Sequence, residues 1–333
     1  MTNLVYHNQL YRNFTPGGSI IVDLEKHYIS QLISACKPTD LFVNSIWFEY
    51  DEQMVDLLKS KPSRIVVYSG MDWHDTGYRK HVHDKLHEHC DNVIYVGNTD
   101  GQYYFSFWLF FIKTYYNNFY TTTPENLKID KLFMCLNRKR HDHRVQLVEQ
   151  IFNEKLDQFG YVTLGGDLHS NLPPITLEND IVNTEGDKTA GDSKEGITND
   201  ISSLGNKLYW NNHLINIVTE TTIHSSTFIS EKTWKPILGL KPFMILGDEK
   251  IYSYLKQYGI DTFDDIFGTG YGSKNWIDRK NWIVENLHKF KDVNYNQIYT
   301  QLLPRLIRNR DLVKEIIKSN TNTYTKILET LSN

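Results

Sequence analysis

The sequence predicts an α/β fold of two parallel-sheet units facing a cleft, with a helical C-terminal tail. Three features carry that expectation: short β-branched runs alternating with helical patterns over residues 19 to 116, a second such series over 131 to 247, and an aperiodic break between them.

In the first series "SIIVDL" (19–24) reads as a strand, "EKHYISQLISAC" as a helix and "DLFVNSIWF" (40–48) as a strand. "DEQMVDLLKSK" continues as a helix, "RIVVYSG" (64–70) as a strand, "YRKHVHDKLHEHC" as a helix and "NVIYVG" (92–97) as a strand. The run "YYFSFWLFFIKTYY" (103–116) holds about ten apolar residues before Lys113, short of the roughly 20 a membrane span needs, and reads as a buried helix. "TTTPENLKID" then breaks the period as a linker would, which sets domains at 1–124 and 125–333.

The second series runs "KLFMCLN" strand, "RVQLVEQIFNEKL" helix and "GYVTLGG" strand. Residues 168–205, polar and rich in Gly, Asp, Ser and Thr, read as an exposed, mobile insertion. "LINIVTET" and "FMILGD" follow as strands, and helical patterns close the chain, with Asp311 as the expected N-cap of "LVKEIIKSN". Doubled α/β units of this kind bind ligands in the cleft between halves.

Composition narrows the class of function. The chain has 333 residues, 40% hydrophobic and 13% aromatic, ample for two cores. Lys and Arg number 36 against 40 Asp and Glu, a balance that argues against a general nucleic-acid binder, since phosphate neutralisation needs a basic face. Cys36, Cys90 and Cys135 are too scattered for a disulfide framework and fit a reducing cytoplasm. "MTNLVYHNQLYRNF" lacks the pattern of a signal peptide, and no membrane span is expected.

Charge concentrates at two junctions. In "FISEKTWKPILGLKPFMILGD" (228–248), Ser230 is a good N-cap, placing Glu231 and Lys232 in a first turn where backbone N–H groups are unpaired and the dipole end is positive. A helix start plus a lysine suits a diphosphate, and Glu231 can accept hydroxyl hydrogens from a sugar or ribose. A glutamate that only complements the dipole fits the same spacing. In "CLNRKRHDHR" (135–144), Arg138, Lys139, Arg140 and Arg144 lie between a strand end and a helix start. Both junctions should occupy one edge of one sheet, so the basic corners can converge on a multiply charged ligand; solvated basic loops are the alternative for 138–140.

"KLFMCLNRKRHDHR" and "LINIVTETTIHSSTFISEKTWKPILGLKPFMILG" resemble the donor-binding half of the α-1,3-fucosyltransferase family and related viral and bacterial sugar transferases. The resemblance covers residues 131–247, more weakly "RIVVYSGMDWHD" and "VIYVGNTDGQYYFSFWLFF" on the acceptor side. It implies two Rossmann-like domains of GT-B-like architecture: residues 1–124 on the acceptor side and 125–333 binding the nucleotide sugar. It also implies that Arg144 meets the donor diphosphate, Lys232 neutralises it, Glu231 contacts the nucleotide sugar, and Glu220 is the acidic residue of the preceding strand. Arg138 and Ser230 complete the expected donor site. "VTETT" stands where the family has an aromatic, Glu and Asn run, and with the insertion this leaves the fucosyl donor open.

The resemblance thus implies a glycosyltransferase that carries a sugar from a nucleotide-diphosphate donor, GDP-linked or other, to a glycan or other hydroxyl acceptor with inversion. Lys232, Arg144 and the helix dipole would neutralise the leaving group, so no cofactor is expected and a divalent metal is dispensable. The general base should come from the N-terminal domain, where Asp72 follows "RIVVYSG". Asp72 and Glu231 are therefore the expected catalytic residues, with Trp73 and His74 at the acceptor. A turn with an Asp cap is the bland reading of "GMDWHD", and Glu49 and Asp51 compete as base. His83 and His87 have the i,i+4 spacing of metal ligands but lack an evident third ligand, so no metal site is assigned. "GTGYGSKNW" (268–276) reads as a mobile loop near the donor rather than a dinucleotide fingerprint. The competing readings are a non-catalytic sugar-nucleotide or carbohydrate-binding module and a glycosyltransferase of modified DNA bases.

Overall fold

A computed structural model describes residues 4–6, 20–44, 52–70, 84–97, 103–120, 127–166, 172–180, 197–223 and 228–333. The chain divides into two compact units, one of residues 1–111 and 317–333, the other of residues 112–316. The final helix, Tyr295–Ser332, therefore supplies both, whereas the sequence reading assigned it wholly to the second.

Unit 1 is built on a parallel sheet in the order β1 (Leu4–Tyr6), β2 (Asp40–Asn44), β3 (Arg64–Ser69), β4 (Val93–Gly97) and β5 (Tyr103–Tyr104). β2 and β3 are buried along their whole length, as in a parallel sheet covered on both faces. Their side chains alternate between two cores. Phe42, Val66 and Tyr68 pack with Ile29, Leu32, Tyr324 and Ile327, while Leu41, Val43, Ile65 and Val67 pack with Met54, Leu58 and Leu86.

The sequence reading of 19–24 as a strand is corrected: residues 20–24 open the helix Ile20–Ala35. Buried positions Glu25, Ile29, Leu32 and Cys36 recur at helical spacing, and this period outweighs the β-branched start. The strand beside β2 is instead Leu4–Tyr6, too short to leave a pattern. The aromatic run forms the buried helix Phe107–Thr114, and among the described residues no helix is long and apolar enough to cross a membrane.

Unit 2 holds a parallel sheet in the order β7 (Gly160–Val162), β6 (Lys131–Cys135), β8 (His213–Thr219) and β9 (Phe243–Leu246). Helices Asp142–Asn153, Glu231–Leu238, Ile251–Gln257 and Trp276–Phe290 accompany it. Three further expectations change. The closing end of the insertion is packed, with Thr198, Asn199, Asp200 and Ser202 buried, whereas residues 172–180 are exposed or half-buried as expected, with Ile175 bridged to Leu164. Asp311 is no N-cap, because Tyr295–Ser332 runs through it as one helix. The glycine-rich segment is anchored at one point, where the buried Tyr271 ring stacks on Tyr252 with centroids 3.7 Å apart, while Gly268, Thr269, Gly272, Lys274 and Asn275 are exposed.

Candidate functional site at the carboxyl ends of β6 and β8

β6 and β8 are neighbours at the centre of the unit 2 sheet, and the chain leaves them towards opposite flanks, β6 to β7 and β8 to β9. The carboxyl ends of such a pair are where open α/β sheets bind ligands, because the diverging connections leave a crevice. Residues 136–141 leave β6 at that point and residues 220–223 leave β8.

Buried Asn137 ties the strand ends together. Its backbone N–H donates to Thr163 Oγ1 (2.9 Å) and its Nδ2 to the Thr163 carbonyl (3.1 Å), while Thr219 Oγ1 donates to Asn137 Oδ1 (2.6 Å). Gly165 lies so close that a Cβ there would stand 1.8 Å from the Arg138 carbonyl oxygen. Arg140 donates to the carbonyls of Gly165 (2.5 Å) and Leu172 (2.6 Å), so it braces this loop, while Lys139 is exposed.

Arg144, in the first turn of Asp142–Asn153, is only 4% exposed. Nη1 donates to the Lys139 carbonyl (3.1 Å) and Nη2 to the Thr219 carbonyl (3.0 Å), which leaves Nε buried without a partner. Burial draws this guanidinium down to about 10, against the attraction of Glu220 and Glu231, and it is charged at neutral pH.

At the end of β8, Glu220 is fully buried and its carboxylate serves the next helix start. Oε1 accepts from the Ser230 N–H (3.0 Å) and Thr233 Oγ1 (2.7 Å), and Oε2 from Ser230 Oγ (2.7 Å). Ser230 caps Glu231–Leu238, accepting from the Lys232 N–H at 3.3 Å. A buried carboxylate at the positive end of a helix is favourable, and with these three donors it is well satisfied.

Glu231 is 3% exposed, with Oε1 3.1 Å from Lys232 Nζ and Oε2 buried without a partner. Burial raises its carboxyl, but Lys232 and Lys235 outweigh that and hold it below the usual carboxylate range. Lys235, four residues on and so on the same helix face, donates to the main-chain oxygen of Asp200. Burial pulls Lys235 down to about 8, opposed by Glu231 and Asp200 and reinforced by Lys232 and Arg138.

The two junctions singled out in the sequence are thus linked electrostatically: Arg144 and Lys232 both act on Glu231, and Arg138 and Lys232 both act on Lys235. Arg138, Arg144, Lys232 and Lys235 outnumber Glu220, Glu231 and Asp200 at this edge. Such a corner suits a ligand that brings anionic oxygens to the cations and a hydroxyl to the unpartnered oxygen of Glu231.

Asp72, Trp73, His74, Glu49, Asp51 and His83 lie outside the described residues. Among the described residues no group of three or more His, Cys, Asp and Glu side chains could hold a metal ion. Sequence reasoning missed two residues. Lys235 was signalled by its i+4 spacing from Glu231. Buried Arg279 carried no such signal; it donates to the carbonyls of Ile223 (2.9 Å) and Lys274 (3.1 Å), tying the segment after Glu220 to the glycine-rich turn.

No protein-family model and no curated protein matches the chain. Among solved structures, a crystal structure of an α1,3-fucosyltransferase with GDP is similar over 87% of this chain and 78% of that one, at 12% sequence identity and a TM-score of 0.41. The functional reading therefore rests on the site's own geometry.

Proposed function

We propose that the chain is a glycosyltransferase that moves a sugar from a nucleoside-diphosphate donor to a hydroxyl acceptor, with inversion at the anomeric carbon. The observation that carries this reading is the buried cationic corner at the divergence of β6 and β8, where Arg144 and Lys232 both act on Glu231 and one Glu231 oxygen has no protein partner.

In this reading the acceptor oxygen bonds to the anomeric carbon as the bond from that carbon to the diphosphate oxygen breaks. The leaving diphosphate gains negative charge, which Arg144, Lys232 and the Glu231–Leu238 N-terminus stabilise, so no divalent metal is required for that step. Glu231 accepts a hydroxyl of the nucleotide sugar. Asp72 takes the acceptor proton, with Trp73 and His74 at the acceptor, because these residues follow "RIVVYSG" in the sequence, where an α/β unit carries its reacting groups.

A thermal-shift panel of GDP-, UDP-, ADP- and CMP-linked sugars tests the reading, since a ligand at 100 times its dissociation constant stabilises by about 2.7 kcal/mol. The matching donor should then release nucleoside diphosphate, and Asp72→Asn should abolish release while keeping binding. Binding without release in the wild-type protein would identify a sugar-nucleotide-binding module instead. A Lys232→Ala protein that responds to the nucleotide as strongly as wild type would remove the diphosphate from this corner.

A further inference from the structure

Lys235 lies at the meeting point of three segments that the sequence keeps apart. On its own helix it faces Glu231 and Lys232; from the loop after β6 comes Arg138; from the closing end of the polar insertion comes Asp200. Its ammonium donates to the Asp200 main-chain oxygen and stands 5.9 Å from the centroid of the Phe119 ring. The Asp200 carboxylate accepts within its own segment from the Ser202 N–H (3.1 Å) and Ser203 Oγ (2.6 Å), and its charge also acts on Lys235. The hydrogen bond of Lys235 thus goes to a neutral carbonyl, while the charge it shares a helix face with, Glu231, keeps a buried oxygen without a protein partner.

We infer that Lys235 is a third cation, beside Arg144 and Lys232, for the phosphorylated part of the ligand, transferred from the Asp200 carbonyl to phosphate oxygens when a nucleoside diphosphate binds. This rests on the reading of the corner as a nucleotide-sugar site and adds to it a residue and a coupling. A doubly charged phosphate is a far better acceptor for an ammonium than a neutral carbonyl, so the exchange is favourable wherever both groups are charged. It also releases the 197–203 segment from the helix, linking nucleotide binding to the polar insertion. Because Lys235 is drawn down to about 8, part of the population is neutral at mildly alkaline pH, and a bound phosphate restores the charge by drawing a proton from solution.

The test is calorimetric titration of the full chain with UDP, GDP and ADP at pH 8, in two buffers of different ionisation enthalpy. The diphosphate that binds should take up a fraction of a proton. Lys235→Met should weaken it by about tenfold or more and abolish the uptake. Lys235→Arg, which keeps the charge at every accessible pH and guards against misfolding of the methionine variant, should restore affinity to within a few-fold with no proton uptake. Unchanged affinity in Lys235→Met, or uptake persisting in Lys235→Arg, overturns the inference and leaves the corner as a nucleotide site. If none of the three binds the wild-type protein, the inference falls together with that reading.

Discussion

The carboxylate of Glu220 receives both the backbone N–H and the hydroxyl of Ser230, at 3.0 and 2.7 Å, so the last residue of one strand junction fixes the first of the next helix. This determines where Lys232 and the free N–H groups of Glu231–Leu238 can present themselves. It also separates holding the helix from holding a ligand: Glu220 is fully buried, and its bonds go to the protein.

Glu220→Ala should therefore lose stability and nucleotide binding together. It leaves the Ser230 N–H and two hydroxyls without an acceptor, a loss on the order of 3 kcal/mol. The midpoint of urea unfolding should fall, and a nucleotide titration of the folded fraction should weaken in parallel. A normal midpoint with binding abolished would make Glu220 a direct ligand contact instead.

Gly165→Ala probes the β6 corner without removing a charge. Its Cβ would meet the Arg138 carbonyl at 1.8 Å, so the main chain at 138 must move. The expected result is weaker binding of the nucleoside diphosphate by about tenfold, with Lys232→Ala adding to it rather than masking it, because the two changes act on separate elements. Isothermal titration of both single variants and the double variant measures this.

Much of the fold was legible because buried parallel strands make continuous apolar runs. "RIVVYSG", "KLFMCLN" and "FMILGD" contain the strands that form, "LINIVTET" covers all of its strand but His213, and Ser230 is the N-cap its position suggested. Legibility failed where local pattern and tertiary context compete. Ile20, Ile21 and Val22 favour a strand locally, but burial at Glu25, Ile29 and Leu32 fixes a helix. Leu4–Tyr6 gains its strand only by pairing with β2. At the site, the cationic residue types were visible, but their partners were not: that Arg140 braces carbonyls while Arg144 keeps a free Nε depends on residues 163 to 219, far along the chain.

The C-terminal residues should prove essential to unit 1. Asn320 Oδ1 accepts from the Ser106 N–H (2.7 Å) and its Nδ2 donates to the Ser106 carbonyl (3.1 Å), a buried two-bond clasp. Tyr324 OH donates to the Tyr28 carbonyl at 2.9 Å, and Arg64 Nη2 to the Leu331 carbonyl at 2.5 Å. Asn320→Ala should cost on the order of 2 kcal/mol, and a chain ending at Ile316 should lose amide-exchange protection in β2 and β3. Full protection in the truncated chain would contradict the role of this segment.

Lys241 offers a test of stability against pH. It is 1% exposed, its ammonium donates to the His213 carbonyl (2.6 Å) and faces the Tyr299 ring at 5.0 Å, and burial draws it down to about 7. In the unfolded chain an ordinary lysine titrates near 10.4, so between pH 7 and 10 the unfolded state binds more protons than the folded one. Stability from this group therefore rises with pH across that window, and the full penalty of a buried charge stands below pH 7. Lys241→Met removes the penalty and forfeits one hydrogen bond, worth about 1 kcal/mol. The variant should be more stable than wild type at pH 6, with the difference shrinking steadily towards pH 10. Urea unfolding at pH 6, 8 and 10 reads this directly, and a difference independent of pH would show that Lys241 keeps an ordinary lysine's proton affinity in the folded protein.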